Sequence, residues 1–247
     1  GVAVGTERVW KASLDRELST MFVINKMDRE NADFFRTMAD IEATLPGNIA
    51  AIHVPIGQAQ EFEGIVDLLS MRAYVWPDGE PMETEIPDEV AGLAQEYRER
   101  LVEAIVETDD ELMMQYLEDA ELGDEELLEA FLEEGELTNE QIKAGLRNAV
   151  INNQLVPVFC GSAFKNKGVQ PILDAVVDYL PSPLDVPAIE GHMAGKEDEV
   201  ITRPADAKEP FSALAFKVAA HPFFGKLTYI RVYSGTIASA QPVMNST

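Results

Sequence analysis

A short apolar run followed by a polar loop and an amphipathic helix occurs twice in this chain, with a strongly acidic block between the two copies. The first run is Thr20 to Ile24, followed by Asn25-Lys26-Met27-Asp28 and then by Phe34, Met38, Ile41 and Leu45 at helical spacing, stopped by Pro46-Gly47. The second run is Leu155 to Cys160, followed by Gly161-Ser162-Ala163 and then by Val169, Ile172, Leu173, Val176, Val177 and Leu180. Apolar runs of this length between polar segments predict strands buried on both faces of a parallel sheet. The spacing after each predicts a helix on its face. The fold class expected is therefore α/β, with ligand-binding loops at the strand ends occupied by Asn25-Lys26-Met27-Asp28 and Ser162-Ala163.

The intervening block obeys different rules. Residues 80–140 carry 2 basic and 23 acidic side chains, whereas the net charge of the whole chain is −25. Nearly all the acidity is thus in one segment, which predicts a separate structural unit with a solvated, anionic surface. Ahead of it, Ile49 to Val54 and Ile65 to Trp76 are apolar runs punctuated by Gly57 and Gly64 and closed by Pro77-Asp78-Gly79, a pattern of strands and a turn. Asp88 after Pro87 is expected to cap a helix whose stripe is Val90, Leu93, Tyr97, Leu101 and Ile105, with Glu96, Glu99 and Glu103 facing away. A short helix is expected around Leu127, Leu128, Phe131 and Leu132, and Thr138 with Gln141 forms a capping box ahead of Ile142, Leu146 and Val150.

After Leu180, three prolines at 181, 183 and 187 and the polar stretch Gly191 to Pro204 predict a linker. From Phe211 the period becomes two, and Leu227 to Tyr233 is rich in β-branched and aromatic residues, the start of an all-β domain. Two or three strands in some forty residues cannot bury a sandwich or barrel core, so the chain is expected to stop inside that domain.

Composition excludes several classes. With one cysteine, Cys160, and three scattered histidines, no internal disulfide and no four-ligand Cys/His metal cluster can form. Cys160 reads as a small buried residue with no activating neighbour, and His53, His192 and His221 as ordinary loop or strand-end residues. No run approaches a membrane span and no basic-then-apolar leader opens the chain, so a soluble, cytoplasmic protein is expected.

The loop sequences permit a more specific reading. Asn-Lys-x-Asp after one strand and Ser-Ala after another resemble the guanine-recognition pair of the translational GTPases. The surrounding words, Phe22 to Arg29 (FVINKMDR), Cys160 to Gln170 (CGSAFKNKGVQ) and Asp174 to Pro183 (DAVVDYLPSP), are similar to those of elongation factor G over essentially the whole chain. The resemblance implies a partial P-loop-type GTPase domain at 1–61 and 153–190. It also implies an acidic inserted α+β subdomain at 62–152, a linker at 191–207 and the start of a β-barrel second domain at 208–247. It further implies a ribosome-dependent GTPase that promotes translocation of tRNA and mRNA, with GTP or GDP and magnesium as ligands. A ribosomal-protection or ribosome-recycling paralogue is the alternative within the superfamily; a non-enzymatic acidic binding module is the alternative outside it.

The chemistry suits the base. Guanine presents two adjacent donors, N1–H and the exocyclic amine, and the carboxylate of Asp28 is an acceptor-only group able to take both. Asn25 would hold the O6/N7 side and tie neighbouring loops, and the stem of Lys26 would lie along the ring. The resemblance implies two further roles: Ala163 N–H donating to O6 and Ser162 bracing Asp28. The loops are 134 positions apart, so an insert must absorb the excess. In elongation factor G that insert faces the ribosomal stalk.

The phosphate side of such a site is expected to lie outside this sequence. No GxxxxGK[S/T] and no DxxG occurs here; Gly191-His-Met-Ala-Gly195-Lys196 imitates the first but is one residue short and is followed by Glu197. Base contacts supply roughly 1.5–3 kcal/mol per charged hydrogen bond, against an association cost of about 4–15 kcal/mol. The chain by itself is therefore expected to be a fragment, cut at both ends, that neither binds GTP tightly nor hydrolyses it. No catalytic residue and no metal ligand is assigned within it.

Overall fold

The computed structural model describes residues 1–77, 79–109, 112–113, 137–193 and 196–245. Cα packing divides the chain into two units, Gly1–Leu180 and Pro181–Thr247, with the break at the first of the three prolines.

In the first unit, β1 (Phe22–Ile24), β2 (Ile49–Ala51) and β7 (Val156–Cys160) form a parallel sheet in the order β1-β7-β2. Phe22 pairs with Val158 and Ile24 with Cys160, while Ile49 pairs with Val156 on the other side. Every residue of β7 is buried, as its unbroken apolar run requires. The expectation of burial on both faces fails for β1: it stands at one end of the strand order, and Val23 is 44% exposed. Helix α2 (Phe34–Thr44) follows β1, is capped by the Asp33 carboxylate accepting from Arg36 N–H, and buries the expected Phe34, Met38 and Ile41. Helix α1 (Val4–Leu14) has no counterpart in the sequence reading, because only Trp10 along it is buried and no apolar stripe marks it. Trp10 packs edge-on against Phe22 and its indole N–H donates to Pro46 O at 3.1 Å.

A second sheet in this unit is four-stranded and antiparallel, β3 (His53–Ile56), β4 (Gly64–Asp67), β5 (Arg72–Val75) and β6 (Met82–Thr84). Its first strand lies upstream of residue 62 and directly follows β2, and Ile52 N–H still donates to Val158 O, so one continuous segment joins the two sheets. Helix α3 (Asp88–Val106) keeps Glu96, Glu99 and Glu103 exposed and buries Leu101 and Ile105. Its cap is Pro87 rather than Asp88; Asp88 enters the first turn, where a negative charge favours the helix dipole instead of accepting a capping bond. Helix α4 (Asn139–Ile151) opens with the expected Thr138–Gln141 capping box and buries Ile142, Leu146 and Val150. The short helix expected around Leu127 to Leu132 and residue Asp78 of the expected turn lie outside the described residues.

Helix α5 (Val169–Tyr179) follows β7. Its expected apolar stripe is only partly its packed face: Ile172 and Leu180 pack against the core beside the buried Ala175 and Tyr179, whereas Leu173, Val176 and Val177 are exposed. Helical spacing registers both stripes, and packing decides between them.

The second unit contains two hairpins, β8 (Ile189–Met193) with β9 (Lys196–Arg203), and β10 (Ser212–His221) with β11 (Gly225–Ser234). Residues 191–207, expected as a linker, thus contribute most of a hairpin, with Gly191 opposite Ile201 and His192 opposite Val200; backbone pairing tolerates the polar residues that suggested a linker. The Gly191–Lys196 imitation of a phosphate loop falls between these antiparallel strands, with residues 194 and 195 outside the described set, and so lacks the helix that follows a phosphate-binding loop. In β10, Leu214, Phe216 and Val218 are all exposed, so the period-two pattern predicts the strand but is not matched by alternating burial.

Candidate functional site

Parallel pairing of β1 with β7 brings the two candidate loops side by side at their carboxyl ends. The ladder runs one step past the strands, with Gly161 N–H donating to Ile24 O at 3.1 Å and Met27 N–H donating to Gly161 O at 3.2 Å. Met27 is buried and anchors the first loop from below, while Asn25 and Lys26 stay exposed and Asp28 half-buried. Lys26 has φ +63°, a left-handed conformation rare for a residue with a Cβ and costly unless its neighbours fix it. The buried Met27 and the two Gly161 bonds supply that constraint.

Ser162 is fully buried. Its hydroxyl donates to Asp28 Oδ1 at 2.6 Å and accepts from Lys165 N–H at 3.3 Å, so its single proton is committed to the carboxylate. The Ser162 bond holds the Asp28 carboxyl below the usual carboxylate range, opposed by partial desolvation and helped by Arg29 and Lys165. Asn25 Oδ1 accepts from its own neighbour Lys26 N–H at 2.7 Å and from Ala163 N–H at 3.0 Å across 138 positions. The five residues singled out from sequence, Asn25, Lys26, Asp28, Ser162 and Ala163, therefore form one junction. The Ala163 N–H, assigned by resemblance to guanine O6, is engaged by Asn25 here.

The second loop is shaped by its glycines. Ser162 and Lys167 exchange backbone hydrogen bonds at 2.9 and 3.0 Å, closing a tight return. A Cβ on Gly161 would lie 2.7 Å from Lys167 O, and Gly168, at φ +79°, would bring one to 2.9 Å from Cys160 O. Close backbone approach thus requires glycine at both positions.

Asp28, Arg29, Gln60, Phe164 and Lys165 border a cleft of about 700 Å³, and Asn25, Lys26, Arg29 and Arg36 border a second hollow of about 420 Å³. The loops carry Lys26, Arg29, Lys165 and Lys167 against Asp28 and Glu30, a locally cationic balance on a chain of net charge −25. An anionic ligand with a hydrogen-bonding base edge suits that combination: Asp28 offers acceptors, and the surrounding cations favour negative charge. Met27, Gly161, Lys167 and Gly168 stand in the sequence only as parts of the loop words, and their roles emerge when the two strands lie in register.

The same chain matches the model of the elongation factor Tu GTP binding domain over residues 1–182. The chain belongs to that family. It is a member of the translational GTPase superfamily, whose domain of this type binds GTP and GDP with magnesium. It is also similar to a crystal structure of a protein from Thermus thermophilus, at 32% identity and a TM-score of 0.69; the match covers 95% of this chain and 30% of that one.

The remaining candidates lie elsewhere. Cys160 is buried in β7, and burial pushes its thiol well above the ordinary range, which makes it unreactive. His53 is a strand-end residue, the first of β3, and it is buried there, edge-on to Phe159 at 4.9 Å, with Nδ1 lacking a hydrogen-bond partner. Burial pushes its imidazole down to about 4, opposed by Asp67 and by the Cys160 backbone. Among the described residues, no cluster of three or more His, Cys, Asp or Glu side chains could hold a metal ion, and no helix is long and apolar enough to cross a membrane.

Proposed function

We propose that this chain is the guanine-reading part and acidic insert of an elongation factor G-like, ribosome-dependent GTPase of the cytoplasm, which promotes translocation of tRNA and mRNA in protein biosynthesis. The observation that supports the reading is the bond from Ser162 to Asp28, which fixes the carboxylate from a loop 134 residues away. Asp28 takes guanine N1–H and the exocyclic amine, Asn25 ties the loops, and Lys26 covers the ring. Magnesium, when bound in such proteins, neutralises phosphate charge; no residue of this chain is assigned to it.

The 247-residue chain by itself holds GTP weakly and does not hydrolyse it, because it contains neither GxxxxGK[S/T] nor DxxG. Calorimetry with GTP and GDP tests this, and sub-micromolar affinity would overturn it. The acidic insert docks a basic globular domain of the ribosomal stalk, since a segment with 23 acidic and 2 basic residues accelerates encounter with a cationic partner and disfavours ribosomal RNA. Association that ignores salt, or that survives charge reversal at Glu96, Glu99 and Glu103, removes that support.

Ribosome-stimulated GTP hydrolysis and translocation by the protein of the source gene test the activity as a whole. Ribosome splitting without translocation would favour a recycling paralogue; no nucleotide response at all would favour an acidic binding module.

A further inference from the structure

The loop that carries Ser162 and Ala163 is tied to the inserted sheet at three separate places. Lys167 Nζ donates to Phe62 O at 2.8 Å and lies over the Phe62 ring, which is itself buried. Asn166 Nδ2 donates to Gly79 O at 3.1 Å, in the connection between β5 and β6. Trp76, buried one residue past β5, donates its indole N–H to Gln170 Oε1 at 3.2 Å, in the first turn of α5. The bonded positions span 105, 87 and 94 residues of sequence, so they fix the loop against a different part of the fold rather than against itself.

We infer that Asn166, Lys167 and Gln170 are positioning residues through which the insert sets the guanine-reading loop. The inference rests on the guanine reading above. Its physical content is a contact chain. Ser162 has its hydroxyl on Asp28 and its backbone paired with Lys167, so a displacement of Lys167 changes the donor that orients the carboxylate. Lys167 in turn holds its place by a charge-assisted bond to one carbonyl and by the ring beside it. Further out, Arg98 of the acidic helix α3 donates to the carbonyls of Leu68 and Leu69 and to Asn139 Oδ1, joining α3 to the β4–β5 turn and to α4. A load applied to α3 therefore reaches the base-reading loop through hydrogen bonds and a packed sheet, and ligation of the base in turn stiffens the insert.

The test uses the full chain and two soluble probes, GMP and IMP, titrated by chemical shift. IMP lacks the exocyclic amine, so the ratio of the two affinities reports how well Asp28 is placed, which a general loss of stability does not move. Wild type should prefer GMP. The exposed Asn166→Asp, which tolerates the left-handed backbone at φ +54° and removes the donor to Gly79 O, and Lys167→Met should each reduce that preference by about threefold or more, the size of one weakened hydrogen bond, with Lys167→Arg restoring most of it. Amide exchange at 162–167 should rise in the same variants while that of β4 and β5 stays unchanged. An unaltered GMP:IMP ratio in both variants overturns the inference and leaves guanine reading standing. A wild type with no preference for GMP overturns the guanine reading, and this inference with it.

Discussion

Ser162 Oγ lies 2.6 Å from Asp28 Oδ1 although the two residues are 134 positions apart, and the same hydroxyl accepts from Lys165 N–H, so its proton can go only to the carboxylate. That bond adds to the Asn25–Ala163 and Met27–Gly161 bonds between the two loops and favours the ionised form of Asp28.

Asp28→Asn should reverse base preference. Its amide presents a donor where the carboxylate accepted, and xanthine carries a carbonyl at the position of guanine's amine. In a competition between GMP and its xanthine counterpart, the wild type should take the guanine nucleotide and the variant the xanthine one. Unchanged guanine preference would remove Asp28 from the site.

Ser162→Ala should raise the Asp28 titration midpoint toward the ordinary carboxylate value, because the hydroxyl bond is the largest influence holding it down. The sign follows from linkage: a depressed carboxyl stabilises the fold above its unfolded pKa and loses that contribution as pH falls through its folded value. The variant should therefore lose base preference at a higher pH than wild type. Carboxyl-carbon NMR of Asp28 across pH 2 to 6 measures the shift, and coincident curves would refute it.

His53 should make the first unit acid-sensitive. Its unfolded value is 6.5 and its folded value about 4, so between them the unfolded chain binds the proton more readily than the folded one. The stability contribution of the neutral imidazole is complete above the unfolded value and is lost as pH falls through that window, by roughly 3 kcal/mol in total. Urea unfolding of wild type and His53→Phe from pH 7.5 to 4 should show a difference that grows on acidification; a constant difference would contradict it.

Cys160 should resist a thiol reagent in the native protein and react once the chain is unfolded, since its sulfur is buried and its thiolate disfavoured. Mass spectrometry after brief iodoacetamide treatment, with and without urea, reads both arms. Rapid native modification would mean that β7 opens readily.

Trp10→Ala should cost about 3–5 kcal/mol of unfolding free energy. The indole is 5% exposed and packs with Ile41, Leu45 and Val156, so its removal opens a cavity and leaves Pro46 O without its donor. Denaturant titration gives the number, and a change within about 0.5 kcal/mol, the range of ordinary surface substitutions, would show that α1 is not packed on the sheet.

Local chemistry was legible before any coordinates. The unbroken apolar run of β7, the buried stripe of α2 and the Thr138–Gln141 box all follow from interactions within a few residues, which short-range spacing encodes directly. The two loop words and the concentration of acid between them were equally plain in the string of letters. What the tertiary structure decided is everything that depends on which surface meets which. It turned α5 to bury Ala175 and Tyr179 rather than the more apolar Leu173, Val176 and Val177, made a hairpin of a stretch that reads as a linker, and placed His53 inside a core. It also gave Ala163 N–H to Asn25 and tied Lys167 to Phe62. The loop ties rest on pairings across roughly a hundred residues, the α5 face on competition between two apolar surfaces, and the hairpin on strands too polar to alternate, none of which leaves a periodic mark in the sequence.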